Sequence, residues 1–342
     1  MLKLARHITL RQLQVFEAVA RLRNFSRAGD ELFLTQSTVS TQIKNLSDTV
    51  GFALVEQIGK EVHLTEAGKL VHKASTDLFG IIDNVEMAIS DLKGLKRGSL
   101  KLAAISTAKY FTPEVLGRFS QLYPEIELSL TIQNRSTILQ RLKNNADDLY
   151  ILGHNPSTEL NTFSQAFAPN PLYVMACADH PLVRRSDRLT LEELAEQPLI
   201  LREEGSGIRS AVESLFQTHG LQPNIKMIFD NNEAIKHAVI GRLGISILSL
   251  HTIMLEGKSG PVAIVDTEHF PIKRNWHVIY PKGKELSVVA KVFYEFLLQE
   301  GQQLSLQLQA LADSIVPATA ALSTTVFETT VLEEKDPEKT TL

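Results

Sequence analysis

The sequence contains only one cysteine, Cys177, among 342 residues. This scarcity excludes a disulfide framework and nearly excludes a cysteine-based zinc site, so a reducing compartment is expected. No run of about 18 apolar residues occurs, so no transmembrane helix is predicted. Residues 1–11 lack the apolar stretch of a secretory signal. We therefore expect a cytoplasmic protein that does not associate with a membrane.

Sequence motifs of catalysis and cofactor binding are also missing. The chain has no P-loop, no G-x-S-x-G, no H-E-x-x-H and no Rossmann glycine signature. His154 and His180 stand in polar segments without metal-ligand spacing, so surface positions are expected for both. Cys177 follows an apolar strand, which favours burial over redox sensing. These observations predict a protein that is not an enzyme and that needs no metal or cofactor.

Charge is unevenly distributed along the chain, although the formal net charge is only −4. Residues 1–98 contain 13 Lys and Arg against 11 Asp and Glu, whereas the remaining residues contain 22 and 28. The N-terminal segment is therefore the basic part of the molecule. This distribution permits nucleic-acid binding there without requiring it.

Apolar residues recur at helical spacing through the first 50 residues. They predict a first helix that ends at Asn24 and a second helix that Ser26 caps. A tight turn at residues 33–34 leads to a third helix, which Thr35 caps and Gly51 ends. Three short helices with such a turn are typical of a helix-turn-helix.

A long helix follows a predicted wing strand at residues 62–65. Thr65 and Glu66 can open this helix, and only a tolerable Gly80 interrupts it before Gly94. Its apolar residues are separated alternately by three and four positions: Val71, Ala74, Leu78, Ile81, Val85, Ala88, Leu92 and Leu95. This heptad pattern needs a partner helix, which could be the same helix of a second subunit or the first helix of this chain. We predict a coiled-coil dimerisation helix, and a buried amphipathic helix of a single domain is the alternative.

Beyond the long helix, predicted strands and helices alternate. The predicted strands span residues 100–105, 127–132, 149–152, 172–176, 199–201, 226–229, 246–248, 262–265 and 276–280. This alternation predicts an α/β fold in which helices cover parallel sheets. There are too many strands for one small sheet, so we predict two subdomains, the first from residues 98–169 and 268–300 and the second from 170–267.

The C-terminal residues differ in composition from the α/β region. The last predicted helix of the α/β region spans residues 286–299. Residues 301–342 are rich in Gln, Thr, Ala and Glu and contain no aromatic residue except Phe327. We predict a short helical extension followed by a disordered tail.

Two N-terminal segments carry a recognisable pattern. Residues 26–43 read S-R-A-G-D-E-L-F-L-T-Q-S-T-V-S-T-Q-I, and residues 62–68 read V-H-L-T-E-A-G. Both segments resemble the LysR-type transcriptional regulators, and the resemblance covers all of the chain except the C-terminal tail. It implies a winged helix-turn-helix over residues 1–65, a linker helix over 66–97 and a two-subdomain effector domain, similar to type 2 periplasmic binding proteins, over 98–300.

Four further segments narrow this resemblance. They are E-Q-I-G-K at 56–60, S-T-A-K-Y-F at 106–111, D-L-Y-I-L at 148–152 and N-E-A-I-K at 232–236. Within the family they are similar to the CbbR, CmpR and RbcR group, which regulates carbon dioxide fixation and inorganic-carbon uptake. The resemblance implies an activator or repressor that forms homodimers or homotetramers. Its implied partners are double-stranded promoter DNA, RNA polymerase and a small anionic effector, either a phosphorylated metabolite or a 2-oxo acid.

The third helix carries the candidate DNA contacts. Its first turns present short polar groups that suit base edges and phosphates, and nearby basic side chains can neutralise phosphates. The predicted DNA-binding residues are Arg11, Ser26, Arg27, Thr35, Gln36, Ser37, Thr38, Ser40, Thr41, Lys44 and Lys60. By residue type alone an ordinary solvated helix face is an equal alternative, and the resemblance favours DNA.

Polar residues follow several predicted strands at their C-terminal ends, where α/β sheets bind ligands. Hydroxyl groups before a helix suit an anion, Arg202 can fork to a carboxylate or phosphate, and two glycines let the backbone approach a ligand. The predicted effector-binding residues are Ser106, Thr107, Asn134, Arg135, Thr137, Arg202, Glu203, Gly205, Ser206, Asn232 and Glu233. Ordinary caps and turns are the alternative for any one of them.

These observations together predict a sequence-specific DNA-binding regulator that responds to a small anion. A small-molecule-binding module whose long helix serves only oligomerisation is the alternative. That module would show no salt-dependent affinity for duplex DNA. An α/β enzyme would need an acid/base or cofactor constellation that the sequence does not contain.

Overall fold

The computed structural model describes residues 7–58, 61–92, 98–156 and 160–315. The chain begins with a winged helix-turn-helix, in which the two wing strands pair antiparallel. Its elements are α1 (Leu10–Leu22), α2 (Phe25–Leu32), α3 (Gln36–Val50), β1 (Val55–Ile58) and β2 (Glu61–Leu64).

The three helices begin at side-chain caps. Thr9, Asn24 and Thr35 each accept a hydrogen bond from the backbone N–H three residues further on. Gly51 ends α3 with a left-handed φ of 83°, as predicted. The prediction that Ser26 caps α2 was wrong, because the Asn24 amide holds the first turn and Ser26 lies exposed within the helix.

One side of each helix forms a small core beneath the wing. The buried members of this core are Val15, Phe16, Ala18, Val19, Ala28, Val39, Ile43, Leu46, Leu54 and Val62. Burial of Val39, Ile43 and Leu46 turns the opposite, polar face of α3 to solvent. The core therefore orients the helix that carries the candidate DNA contacts.

The long helix α4 (Glu66–Leu92) joins this domain to the rest of the chain. Val71 packs against the helix-turn-helix core. Further along the predicted heptad pattern, Ile81 is 61% exposed and Val85 is 52% exposed. Val85 is the last position of the pattern whose side chain the structure describes. Exposed apolar residues in heptad register favour pairing with a second helix.

The second half of the chain is an α/β domain with two sheets. Its elements are β3 (Gly98–Ile105), α5 (Thr112–Leu122), β4 (Ile126–Gln133), α6 (Arg135–Lys143), β5 (Leu149–Leu152), β6 (Thr162–Pro169), β7 (Leu172–Cys177), α7 (Leu191–Glu196), β8 (Leu199–Arg202), α8 (Gly207–Thr218), β9 (Ile225–Phe229), α9 (Asn232–Ile240), β10 (Ile245–Ser249), β11 (Val262–Ile264), β12 (Asn275–Pro281) and α10 (Val288–Ile315). Short 3-10 turns at 106–110 and 250–253 follow β3 and β10.

Each sheet has five strands and defines one subdomain. Sheet one has the order β4-β3-β5-β12-β6, and sheet two has the order β11-β7-β10-β8-β9. Three strands of each sheet run parallel, as expected, whereas β12 and β6 in sheet one and β7 and β11 in sheet two introduce antiparallel pairs. Two elements of this domain were not predicted. Strand β6 contains polar residues that interrupt the apolar pattern of a strand, and helix α7 is only six residues long.

The last predicted helix and the predicted short helical extension form one continuous helix, α10. It continues to Ile315, because apolar residues persist at helical spacing. Gly301, Leu304, Leu308 and Ala312 are all buried. The predicted boundary at residue 300 therefore falls inside a packed helix. Residues 316–342, predicted as a disordered tail, lie outside the described residues.

Four other expectations concern metal binding, membrane-spanning helices, Cys177 and two histidines. Within the described ranges, no three His, Cys, Asp or Glu side chains are close enough to hold a metal ion, and no helix is long and apolar enough to cross a membrane. Cys177, expected to be buried, is half-buried at the end of β7. His154 is exposed as predicted, and His180 is half-buried.

Candidate DNA interface and effector cleft

The exposed face of α3 carries five of the eleven candidate DNA contacts. Its exposed members are Gln36, Ser37, Ser40, Thr41 and Lys44. Thr35 and Thr38 have a different role, because the Thr35 hydroxyl caps the helix and lies 2.8 Å from the Thr38 hydroxyl. The first turn of α3 is thus rigid, while Gln36 and Lys44 remain available to a duplex.

Three of the remaining candidates lie on the neighbouring helices. Ser26 and Arg27 are exposed on the first turn of α2. Arg11 donates to the Gln14 side chain at 2.7 Å and to the Leu32 carbonyl at 3.2 Å, so it ties α1 to the end of α2. Lys60 lies outside the described residues. Arg11 and Arg27 thus place basic groups on the helices next to α3, where phosphates would flank a recognition helix.

A narrow cleft separates the two sheets. It is lined by Ile105, Ser106, Thr107, Arg135, Asn170, Arg202, Ser206, Gly207, Ile208 and Arg274. Five of the predicted effector-binding residues are in this set. The free volume between the side chains is about 20 Å³, which is room for about one water molecule. A larger ligand therefore requires side chains or subdomains to move apart.

Arg202 forms a bridge across the cleft. Its guanidinium is 4% exposed and makes two hydrogen bonds to Glu203, at 2.7 and 2.9 Å. A third bond, of 2.7 Å, reaches Asn232, whose amide donates to the Thr107 hydroxyl of the other subdomain at 2.9 Å. Arg202 also lies 3.4 Å from the Ser106 hydroxyl. Glu203 thus occupies the fork that was predicted to receive an anion, and Arg202 clamps the two subdomains together.

Several predicted effector residues lie elsewhere. Asn134 caps α6 by accepting a hydrogen bond from the Thr137 N–H at 3.0 Å, and both residues are exposed. Gly205 occupies an exposed turn with a φ of 79°. Glu233 accepts a hydrogen bond from the Tyr110 hydroxyl at 2.6 Å, outside the set that lines the cleft. These four residues shape or join elements around the cleft.

Arg274 is the functional candidate that the sequence analysis missed. It precedes β12 and donates to the carbonyls of Gly207 and Gly153, at 3.0 and 2.7 Å. Burial, together with the neighbouring positive charge of Arg135, lowers its pKa to about 10. No salt bridge to Arg274 is found within the described residues. The sequence alone does not identify Arg274 as a cleft residue, because its partner Gly207 lies 67 positions away and the fold brings the two together.

The N-terminus of α8 adds to the positive potential of the cleft. Ser206 occupies the cap position, yet its hydroxyl makes no capping bond to the helix. Gly207 and Ile208, which follow it, line the cleft. A helix N-terminus attracts anions through its backbone N–H groups and the helix dipole. With Arg135 and Arg274 nearby, the cleft has the electrostatics of an anion site.

A winged helix-turn-helix, a long linker helix and an α/β domain with an anion-attracting cleft define a ligand-binding transcription regulator. Residues 10–69 match the bacterial regulatory helix-turn-helix protein of the lysR family, and residues 93–302 match the LysR substrate binding domain. The chain belongs to the LysR family of transcriptional regulators, which are DNA-binding proteins and not enzymes.

Two curated relatives extend over nearly the whole effector and DNA-binding regions. The chain is 49% identical over 301 residues to the HTH-type transcriptional activator CmpR of Synechocystis, covering 88% of this chain and 98% of that protein. It is 45% identical over 292 residues to a RuBisCO operon transcriptional regulator of Acidithiobacillus ferrooxidans, covering 85% and 94%. These relatives agree with the predicted resemblance to the CbbR and CmpR group.

Solved structures confirm the predicted fold class. The regulatory domain of Synechocystis CcmR, determined in complex with 2-PG, is 43% identical, with a TM-score of 0.58, and covers 61% of this chain and 99% of that chain. CbnR, a LysR family transcriptional regulator, is 20% identical, with a TM-score of 0.60, and covers 86% and 99%. The likeness to CbnR concerns the fold alone.

Proposed function

We propose that this regulator controls genes of carbon fixation or inorganic-carbon uptake in the cytoplasm, in response to a small anionic metabolite bound between its subdomains. The target genes are inferred from the RuBisCO operon regulator and from CmpR, which align with most of this chain. The CcmR regulatory domain, which was solved with 2-PG, supports a phosphorylated effector. A 2-oxo acid satisfies the same charge requirement.

The observation that carries the effector proposal is the half-buried charge of Arg274. Removing a guanidinium from water is costly unless an opposite charge compensates it. Here Arg274 has two carbonyl partners, and Arg135 is another cation beside it. A phosphate or carboxylate beside the α8 N-terminus would supply the missing charge and accept charge-assisted hydrogen bonds.

The same geometry supports a mechanism. Because the cleft has room for about one water molecule, a metabolite that enters must displace side chains or subdomains, and we propose that it changes the spacing of the two subdomains. A ligand shifts such an equilibrium only when it binds one arrangement more tightly than the other. Dimers that form through α4, and tetramers built from them, would transmit this change to paired helix-turn-helix domains on a pseudo-palindromic operator.

DNA binding by the purified full-length chain tests this proposal. Duplexes spanning its own upstream region would be titrated at two salt concentrations, with 2-phosphoglycolate, ribulose bisphosphate or 2-oxoglutarate. Selective binding that weakens with salt and shifts with one metabolite is expected. Selective binding that no metabolite changes would contradict the effector proposal. A folded dimer without selective binding to any of these duplexes would favour the small-molecule-binding module.

A further inference from the structure

The C-terminal helix α10 connects the hydrophobic cores of both subdomains. Its first half supplies Ala290, Phe293 and Leu297 to the core of sheet one. Its second half supplies Leu308 and Ala312 to a core formed with strands of sheet two. At 1.5 Å per residue the helix is about 42 Å long, which is enough to cross the boundary between the subdomains.

The crossing point is closely packed. Gly301 lies against the backbone of β6, the strand that leads from sheet one to sheet two. A Cβ atom at Gly301 would lie 1.9 Å from the Phe167 carbonyl oxygen, so only glycine allows this approach. The helix therefore packs directly on the backbone of β6. Leu304, one turn further along, still belongs to the core of sheet one.

The end of α10 is anchored on sheet two by apolar contacts. Leu308 and Ala312 pack in a cluster with Tyr173, Met175 and Ile253. By contrast, Leu306 on the opposite face is 73% exposed. The burial of one face distinguishes an anchored helix from a free extension. Residues 303–315 also extend beyond the match to the LysR substrate binding domain, which ends at residue 302.

We propose that residues 301–315 form a strap that fixes the angle between the two subdomains. The chain crosses between the subdomains at residues 169–172 and again between β11 and β12. A third connection, by a rigid helix with an anchor in each core, restricts rotation about those two crossings. Any change of angle then requires α10 to bend near Gly301 or its last turns to leave sheet two. This inference is independent of the identity of the effector and of the operator.

Trp276 provides a reporter for this angle. It is the only tryptophan in the sequence and is fully buried. It lies on β12 of sheet one, and its indole N–H donates to His251, which follows β10 of sheet two, at 3.0 Å. Phe111 packs against the same indole, with ring centroids 5.1 Å apart. Separation of the subdomains would expose the indole edge that now faces His251.

The test compares two charge substitutions near the end of the strap in the full-length protein. Ala312→Glu places a carboxylate on the buried face, and the control Ser314→Glu places it on an exposed position two residues away. We expect Ala312→Glu to raise acrylamide quenching of Trp276 by about twofold or more, because a detached strap permits local opening. Ser314→Glu should leave the quenching unchanged, and far-UV circular dichroism should show both chains folded.

A second pair of variants keeps the test valid if Ala312→Glu fails to fold. Leu308→Ala removes the buried anchor, and Leu306→Ala removes an exposed leucine from the same turn. The same contrast in quenching is expected. If a folded Ala312→Glu or Leu308→Ala variant is quenched as weakly as the wild type, the proposal that residues 301–315 fix the angle is wrong. Loss of the folded effector domain in both buried variants would also overturn it, because residues 301–315 would then be an integral part of the core.

Discussion

The DNA-binding domain and the effector cleft satisfy their polar groups in different ways. In the helix-turn-helix, caps such as Asn24 and Thr35 bond to backbone groups three residues away, and the candidate DNA contacts are mostly exposed. In the cleft, Arg202 bonds to the adjacent Glu203, and Arg202 and Arg274 also bond to residues between 28 and 121 positions away. The first region is therefore stabilised locally and offers solvated charge to DNA, whereas the second holds the half-buried charge of Arg274, which a ligand can neutralise.

The largest expected effect concerns Arg274 and rests on the proposed function. Arg274→Met removes the half-buried cation, so affinity for the effective metabolite should fall by a factor of about 100, or about 3 kcal/mol. The unfolding temperature of the effector domain should change little, because the lost carbonyl bonds are offset by the removal of an uncompensated charge. Isothermal titration calorimetry measures the first quantity and Trp276 fluorescence the second.

The matched control is Arg242→Met, which alters an exposed arginine paired with Asp179 away from the cleft. Its metabolite affinity should equal that of the wild type. Equal affinity of Arg274→Met and wild type would show that the cleft does not need this charge, and the contrast between the two regions would then be lost.

A second effect should appear as the pH falls. Burial lowers the pKa of His251 to about 4, from an ordinary value of 6.5, so the folded state favours the neutral ring that accepts from Trp276. The resulting stabilisation is fully present above pH 6.5 and is lost as the pH falls to 4. Its size is at most about 3 kcal/mol, from 1.36 kcal/mol for each pH unit.

Urea unfolding followed by Trp276 fluorescence between pH 7 and pH 4 measures this loss. His251→Gln keeps a polar side chain without the titration, so its stability should depend less steeply on pH. His277, whose pKa burial also lowers to about 4, leaves a residual slope. An identical slope in His251→Gln and wild type would exclude His251 as a source of the pH dependence.

The third prediction tests steric strain in the helix-turn-helix domain. Gly68, in the first turn of α4, faces the Leu54 carbonyl, and an added Cβ would lie 2.0 Å from that oxygen. Gly68→Ala should therefore destabilise the helix-turn-helix by about 2 kcal/mol. Gly80→Ala on the same helix meets no atom within 4 Å and should stabilise by up to about 1 kcal/mol.

Hydrogen exchange of α3 amides reports on this domain, whereas Trp276 fluorescence reports on the effector domain. Gly68→Ala should accelerate exchange in α3 and leave the unfolding transition of Trp276 in place. If Gly68→Ala changes both α3 hydrogen exchange and the Trp276 unfolding transition, the DNA-binding and effector domains unfold as one unit. The two regions would then not differ in how they are stabilised.

The difference between local and distant hydrogen-bond partners also explains how much of the structure the sequence could predict. Thr35, Gly51 and the buried face of α3 follow from spacings of three and four residues, so helical periodicity was sufficient to find them. The partners of Arg202 and Arg274 depend on strand order, which a linear pattern does not contain. Glu203 and Glu233 were recognised as residues at strand ends, yet their assignment to Arg202 and Tyr110 required the three-dimensional packing.

The smallest predicted effect separates capping from DNA contact within α2. Asn24→Ala removes the amide that accepts from the Arg27 N–H, which should cost about 1 kcal/mol of stability. Ser26→Ala, on the same turn, removes an exposed hydroxyl without a capping role, so stability should stay within about 0.5 kcal/mol. Operator affinity should show the reverse order, because Ser26 is a candidate phosphate contact and Asn24 is not. Equal stability losses in the two variants, measured by α3 hydrogen exchange, would mean that the first turn of α2 does not depend on its cap.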